Sequence, residues 1–506
     1  MEDLKAKTPA SCKDLPALLT SFVDTFVDFS VTGHFLLPET PTSPQPLQTY
    51  YPPQDRLIAI GDLHGDLAKT KQSLRLANLI DASDKWAGGS ATVVQVGDVL
   101  DRGGDELKIL YFLEKLRREA AGCGGTVITM HGNHEIMNVE GDFRYANKEG
   151  LDEFVNWAHW YKTGNRMKSL CKGLEKPRDP FEGLPSVFNN VKAEFAEGFR
   201  ARIAALRPDG PVTTRFLSKN VTVLVIGDSV FVHGGLLAKH VEYGLEKMNE
   251  EVREWINGVK GRLAPEYCHG GNSVVWLRKF SDEIADKCDC SALEHVLATI
   301  PGAKRMIMGH TIQEFGINGA CNERAIRIDV GMSKGCGNGL PEVLEIHGNS
   351  SLRILTSNLL YQKKYASSAE AGRREGVGLL EHGPQQVEFC WMYICLGMLE
   401  NVVSSNKWTD SENDTIETIA SYSSITRLAC IFFLAFDHQS ALTAMVMRSY
   451  CDISKHNKLR PGSLEGKFFM NEEHCEHITT NECVKTTEFL LPLLSTSIFY
   501  VNGRIF

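Results

Sequence analysis

Several features that mark membrane, secreted or nucleic-acid-binding proteins are scarce in this sequence. The longest apolar runs, Leu428–Phe436 and Cys390–Leu399, are about half as long as a membrane-spanning helix. Basic residues number 54 against 63 acidic ones, so no overall positive charge favours nucleic acid or a membrane surface as a partner. The 14 cysteines in 506 residues exclude a small disulfide-stapled scaffold. No apolar segment follows a basic one at the start, so we expect no secretory signal and a cytoplasmic protein.

The middle of the chain consists of short β-branched runs that end abruptly in polar loops. Five such runs are RLIAI, ATVVQV, GTVITM, VTVLVIGDSVFV and AKRMIM, and two further strand candidates are Ala325–Val330 and Glu342–His347. Helical stretches such as Glu106–Ala121 and Leu236–Asn257 lie between them. Strands that alternate with helices are typical of an α/β architecture, which we expect over residues 50–388.

Three segments depart from this pattern. Residues 1–49 contain an amphipathic helical segment, Leu18–Phe29, followed by a Pro-rich stretch that is typical of a linker. Residues 141–220 have helical patterning and no clear strand, which predicts a helical insertion between two strands. Residues 389–506 do not continue the strand-and-loop pattern, so we expect a C-terminal extension that is dispensable for catalysis and leave its structure unassigned.

Each of the five strand-to-loop junctions carries His, Asp or Asn beside a glycine. Turn chemistry explains any single Gly-Asp pair, because Asp bonds its own downstream backbone. It does not explain five such junctions together. These side chains are metal ligands, and open α/β sheets collect their ligand sites at the carboxyl ends of strands. The pattern therefore predicts a metal site.

The amino-acid sequences of these junctions resemble the motifs of a known family. GDLHGD (61–66), GDVLDRG (97–103) and GNHE (132–135) resemble the signature motifs of the PPP-type metallophosphatases of the calcineurin-like phosphoesterase superfamily. HGG (233–235) and GHT (309–311) complete the set in order. GDVLDRGGDEL and MNVEGDFRY are most similar to the Shewanella-like protein phosphatases. The resemblance implies a calcineurin-like β-sandwich flanked by helices.

The resemblance also implies a set of metal ligands. Asp62 and His64 would hold a first metal ion, Asp98 would bridge, and Asn133, His233 and His310 would hold a second ion. Two divalent ions clamp phosphate oxygens and acidify a bound water, so the implied reaction is direct attack of metal-activated hydroxide on a phosphomonoester. Manganese is the expected metal, and iron or zinc suits the same mixed ligands.

Four more residues receive roles from the resemblance. His134 would protonate the leaving oxygen and Asp101 would orient its imidazole, while Arg102 would bind phosphoryl oxygens with two parallel N–H groups. The family uses a second phosphate-binding arginine between HGG and GHT. Our candidate is Arg278, although Arg253 and Arg262 lie in the same interval.

The expected function is a phosphoprotein phosphatase, and the helical insertion favours a bulky substrate of this kind. Two alternatives stay open, a dinucleoside polyphosphate hydrolase and a phosphoprotein-binding pseudoenzyme, and no regulatory partner is identified. Cys321 and Arg327 match the C-x5-R spacing of cysteine-dependent phosphatases, but the stretch has no internal glycine and leads into a strand. We expect the cysteines around Cys288 and Cys290 to be thiols, with a regulatory disulfide as the alternative.

Overall fold

The computed structural model of the protein describes residues 10–36, 45–169, 178–348 and 351–358, and the backbone alone at residues 374–376. Within the first of these ranges, residues 10–18 are also described by their backbone alone. The predictions for residues 389–506 and for the first part of the Pro-rich stretch lie outside the described residues.

One sheet contains the first three predicted strands. Its order is β12-β11-β10-β2-β3-β4, with bounds β2 Arg56–Ile60, β3 Thr92–Gln95, β4 Thr126–Thr129, β10 Glu342–His347, β11 Leu352–Thr356 and β12 Arg374–Gly376. Strands β2, β3 and β4 are parallel neighbours, and Leu57 pairs with Thr92 in register. Nearly every residue of these three strands is buried, as expected for strands covered on both faces.

The second sheet also contains three adjacent parallel strands, β6, β7 and β9. Its order is β1-β5-β6-β7-β9-β8, with bounds β1 Tyr50–Tyr51, β5 Val223–Ile226, β6 Ser229–Val232, β7 Arg305–Met308, β8 Asn318–Ala320 and β9 Ala325–Arg327. The run VTVLVIGDSVFV forms a hairpin rather than one strand. Gly227 at its turn has φ +57°, a conformation that glycine adopts without steric cost.

Helices connect the strands of both sheets. Their bounds are α1 Ala10–Thr32, α2 Leu67–Leu76, α3 Glu106–Gly122, α4 Asn133–Glu140, α5 Lys148–Ser169, α6 Ala196–Leu206, α7 Pro211–Arg215, α8 Ala238–Tyr243, α9 Leu245–Ile256 and α10 Cys290–Ala298. The helix predicted over Leu236–Asn257 divides into α8 and α9 at Gly244, where φ is +106°. None of the helices in the described part of the chain is long and apolar enough to cross a membrane.

The architecture confirms the predicted class, a mixed α/β fold with two sheets flanked by helices and a helical insertion. Between β4 and β5 the described residues of 141–220 form α5, α6, α7 and two short 3₁₀ turns, and no strand. Helix α1 packs on α5 of this insertion. Its buried apolar residues are Val23, Val27 and Val31, whereas Phe22 is exposed. Gly164 on α5 lets Val27 approach to a distance that a Cβ there would block.

The expectation of free thiols is wrong for two cysteines. Cys290, at the start of α10, forms a disulfide with Cys321, in the turn between β8 and β9, with a Cα–Cα distance of 5.1 Å. Cys268 and Cys288 are buried thiols. The pair is 31 residues apart in sequence, and only the tertiary packing of α10 beside β9 brings it together.

This cross-link leads to a stability prediction. Cys321→Ser should lower the free energy of unfolding by about 3–4 kcal/mol, because the disulfide restricts the unfolded chain over a 31-residue separation. Urea denaturation without reductant measures the effect. Cys123→Ser, at an exposed free thiol, is the matched control and should be neutral. Equal stability of the two variants would contradict the prediction.

Candidate metal centre

The two groups of three parallel strands direct their carboxyl ends at one cleft. A short loop after each strand carries a polar side chain: Asp62 and His64 follow β2, Asp98 follows β3, Asn133 and His134 follow β4, His233 follows β6, His310 follows β7 and Asp329 follows β9. The cleft has a volume of about 540 Å³. Eight of the ten residues predicted from sequence line it, and the other two, Asp101 and His233, lie directly behind its wall.

The loops of the site are held by the buried carboxylate of Glu135. One oxygen accepts N–H groups of Val99 at 2.8 Å and Leu100 at 3.1 Å, and the other accepts those of Asp98 and Gly132, both at 2.8 Å. Asp98 itself has φ +56°, a backbone conformation that costs energy for a residue with a side chain. The four hydrogen bonds compensate for that strain and fix the loop after β3 against the start of α4.

Asp98 is the centre of the side-chain cluster. Its Oδ2 lies 3.2 Å from His233 Nε2 and 3.7 Å from His64 Nε2. Its Oδ1 accepts the backbone N–H of His134 at 2.9 Å. Burial alone would raise the pKa of Asp98, but the nearby imidazoles outweigh it and hold that pKa well below its usual range. The carboxylate is therefore ionised although it is almost fully buried.

The imidazoles are oriented by backbone carbonyl groups. His64 Nδ1 lies 3.0 Å from the carbonyl oxygen of Leu100, and His233 Nδ1 lies 2.9 Å from that of Val96. Each ring therefore turns Nε2 towards Asp98, as metal-binding histidines do when a second group fixes their tautomer. His310 Nε2 is buried and has no hydrogen-bond partner among the described residues. Burial, followed by the charge of nearby His233, lowers the pKa of His310, which leaves a neutral ring with an unused nitrogen.

Two sets of ligand atoms meet at Asp98. The first comprises His64, Asp98 and His134, the second comprises Asp98, His233 and His310, and the ligand atoms of each set lie within 4.8 Å of one another. Asn133 Oδ1 lies 3.1 Å from His233 Nε2, beside the second set. Asp62 belongs to neither set, and its two oxygens face the backbone N–H of His310 at 3.3 and 3.2 Å.

The predicted non-ligand residues occupy distinct positions. His134 Nδ1 lies 2.6 Å from Asp101 Oδ2. Burial lowers the pKa of His134, but the charge of Asp98 and the hydrogen bond with Asp101 raise it overall. Arg278 Nη1 donates to the His310 carbonyl at 3.0 Å and to Thr311 Oγ1 at 2.9 Å at the cleft wall. Of the three arginines that the sequence left open, Arg278 alone lines the cleft.

Three residues of the site were missed in the sequence analysis. Glu135 belongs to the GNHE motif but received no role. Asp329 has no glycine beside it and lies within the predicted strand Ala325–Val330, whereas β9 ends at Arg327, so the junction pattern did not single it out. It is buried near Asp62, and desolvation followed by the charge of Asp98 raises its pKa to about 6. The Tyr145 ring lies 5.0 Å from the His134 ring and 5.1 Å from the Arg102 guanidinium, at the cleft edge.

Comparisons with known proteins find phosphatases that are similar to this chain. Residues 55–314 match the family model of the calcineurin-like phosphoesterases. The chain is 66% identical over 379 residues to Shewanella-like protein phosphatase 2 of Arabidopsis thaliana, which covers 74% of this chain and 97% of that protein. It is 28% identical over 318 residues to Shewanella-like protein phosphatase 1 of Plasmodium berghei, which covers 61% and 75%. Among solved structures, a cold-active protein tyrosine phosphatase of a psychrophilic Shewanella species matches at 22% identity with a TM-score of 0.43, covering 63% of this chain and 87% of that one.

The geometry at Glu135 yields a prediction. Glu135→Gln replaces a carboxylate that accepts four N–H groups with an amide that offers one acceptor oxygen, so we expect the free energy of unfolding to fall by about 3 kcal/mol. The loop that carries Asp98 should loosen, so the affinity for divalent metal should fall as well. Urea denaturation and metal titration measure the two effects. Glu342→Gln, at a buried carboxylate that accepts one N–H from Ile317, is the control and should keep metal affinity. Unchanged metal affinity in Glu135→Gln would refute the organising role.

Proposed function

This chain belongs to the calcineurin-like phosphoesterase family and, within it, to the Shewanella-like protein phosphatases, and on that basis we propose that it hydrolyses phosphomonoesters on proteins with two metal ions. That it is a metal-dependent phosphatase follows from the family. What we propose beyond the family assignment is that two ions are bound and that the substrate is a phosphoprotein. The observation that supports it most strongly is that the buried Asp98 carboxylate lies within 4.8 Å of a ligand nitrogen of His64 in one group and of ligand nitrogens of His233 and His310 in another.

The donor chemistry of the cleft fits two divalent ions. Asp98 offers one carboxylate to both ligand sets, and His310 Nε2 is a buried nitrogen with no partner among the described residues. Burial and the charges of Asp329 and Asp98 raise the pKa of Asp62 well above its usual value, and a cation held beside Asp62 would offset the repulsion among these three carboxylates. We propose Asp62, His64 and Asp98 as ligands of one ion and Asp98, Asn133, His233 and His310 as ligands of the other. Manganese is our first choice, and iron or zinc also suits these ligands.

When bound, such ions neutralise phosphoryl charge and supply an acidified water as the nucleophile. The chain's own residues bind and orient the substrate. Arg102 and Arg278 stand at the cleft wall, where guanidinium groups can pair with phosphoryl oxygens through two N–H donors. The Arg102 backbone is held in a left-handed conformation, φ +67°, and its carbonyl accepts from Asn147 Nδ2 at 3.0 Å. This positioning supports a phosphate-binding role for both arginines.

His134 is the proposed general acid. Its Nδ1 is engaged by Asp101, so Nε2 is the ring nitrogen that remains for the substrate, and it lies 3.9 Å from Asp98 Oδ2. The carboxylate of Asp101, 2.6 Å from Nδ1, favours the protonated ring over the neutral one. We propose that Nε2 donates its proton to the oxygen of the departing serine, threonine or tyrosine side chain, while Asp101 holds the opposite side of the ring.

The substrate class is tested with the purified full-length protein loaded with manganese. We expect kcat/KM for phosphoserine, phosphothreonine or phosphotyrosine peptides to exceed that for a dinucleoside polyphosphate, because the arginines and His134 suit a monoester with a protonatable leaving oxygen. His233→Ala, which lacks a proposed ligand, serves as the inactive control, and His269→Ala, a half-exposed histidine outside the cleft, as the active one. A preference for the dinucleoside polyphosphate would overturn the proposal.

The general-acid role has its own test. His134→Asn should lower kcat for phenyl phosphate about 100-fold or more, because the phenolate leaving group needs a proton. The loss should be much smaller for 2,4-dinitrophenyl phosphate, whose leaving group departs as an anion. Metal content, measured by elemental analysis, should not change. An equal loss of kcat on both substrates would show that His134 is not the general acid.

A further inference from the structure

A fully buried arginine of the helical insertion lies behind the proposed general acid. Arg202, on α6, has no solvent exposure. Its guanidinium lies over the rings of Phe154, 4.7 Å from the ring centroid, and Phe143, at 5.4 Å. Because burying an arginine is costly, each of its N–H groups needs a partner in the protein.

All three nitrogens of Arg202 find such partners. Nη1 and Nη2 donate to the two oxygens of Glu106, at 2.8 and 2.6 Å. Nη2 also donates to Asp101 Oδ1 at 2.8 Å, and Nε donates to Asn138 Oδ1 at 2.8 Å. The bidentate pair with Glu106 already neutralises the arginine. The additional contact with Asp101 is therefore not needed to balance its charge.

The contacts of Asp101 leave its carboxylate no freedom to rotate. Oδ1 accepts from Arg202, while Oδ2 lies 2.6 Å from His134 Nδ1 and accepts from Asn138 Nδ2 at 2.9 Å. Asn138 is held in turn, since its Nδ2 also donates to the His134 carbonyl at 2.8 Å. The plane of the carboxylate, and with it the direction of the imidazole, is set from the side opposite to the cleft.

The insertion also fixes the second carboxylate of this network. Glu153 on α5 accepts the N–H groups of Leu107 at 2.8 Å and Lys108 at 3.0 Å, in the first turn of α3. That turn carries Glu106, the bidentate partner of Arg202. Two helices of the insertion therefore hold this region. Glu153 on α5 holds the first turn of α3, and Arg202 on α6 holds both that turn and the loop before it.

From this geometry we infer that Arg202 is a positioning residue for phosphomonoester hydrolysis: through Asp101 it keeps His134 Nε2 directed at the leaving oxygen. Glu106 accepts two of the guanidinium N–H groups and Asp101 Oδ1 accepts one, so Asp101 Oδ2 remains available to the imidazole. The insertion thereby has a part in the chemistry beyond forming a wall of the cleft. The inference rests on the proposed acid role of His134.

The test is kcat of Arg202→Lys in the full-length, metal-loaded protein. A lysine ammonium cannot reproduce the planar guanidinium that contacts Glu106, Asp101 and Asn138 together. We expect kcat for phenyl phosphate to fall about tenfold, a part of the full general-acid effect, and that for 2,4-dinitrophenyl phosphate to change about twofold or less. KM and metal content should be unchanged. In the His134→Asn background the same substitution should cause no further loss, because it acts through that imidazole.

Arg215→Lys is the matched control. Arg215 lies on α7 of the same insertion and is also held by two carboxylates, Asp28 at 2.7 Å and Glu114 at 3.1 Å, but it does not contact Asp101. Arg215→Lys should lower thermal stability and leave both kcat values unchanged. If Arg202→Lys does not fold, Glu106→Gln is the deciding variant, because its amide turns an N–H towards the guanidinium and removes the bidentate partner that fixes it, so Arg202 shifts relative to Asp101. That variant should show the same dependence on the leaving group.

Equal losses on the two substrates, or no loss, in the folded variant would overturn the inference and leave Arg202 a structural residue. The proposed function fails separately. If the loss of kcat in His134→Asn does not depend on the leaving group, the acid role of His134 is wrong. If the loss depends on the leaving group in His134→Asn but not in Arg202→Lys, only the role of Arg202 is wrong.

Discussion

The buried carboxylate of Glu135 is the constraint on which the site depends. By accepting four backbone N–H groups from the loop after β3 and from the start of α4, it joins two loops that carry the central side chains. Asp98 then points into the cleft from a strained backbone, and Asn133 and His134 open α4 at a fixed distance from it. Because hydrogen bonds to a buried charge are strong, a single side chain can maintain this arrangement.

A second organising principle is the placement of charge in layers. Ionised Asp98 lies at the centre with imidazole nitrogens turned towards it, and backbone carbonyls hold the outer nitrogens of His64 and His233. Behind this layer, Asp101 and Glu106 share the buried Arg202. The outer network is satisfied within the protein, whereas the inner one leaves His310 Nε2 without a partner among the described residues. The outer network is already balanced by Arg202, whereas the inner layer offers a carboxylate and imidazole nitrogens that can bind cations.

Much of this could be read from the sequence, because strand, glycine and ligand follow one another locally in each motif. Strands β2, β3, β4 and β7 and the convergence of the motif residues were predicted from such local patterns, and β9 and β10 were predicted as further strands without a motif. Residues whose role depends on distant partners were not. Arg202 lies 101 residues from Asp101, and nothing in α6 separates it from a solvated helix arginine. The Cys290–Cys321 bond likewise depends on how α10 packs, and the hairpin at Gly227 was hidden in a continuous apolar run.

The proposal that Asp98 joins two metal ions is tested most directly by anomalous X-ray diffraction at the manganese edge, with crystals of the metal-loaded protein. Two anomalous peaks should appear about 3.5–4 Å apart, one on each side of the Asp98 carboxylate. One peak should lie near His64 and the other near His233 and His310. A single peak, or peaks away from Asp98, would contradict it.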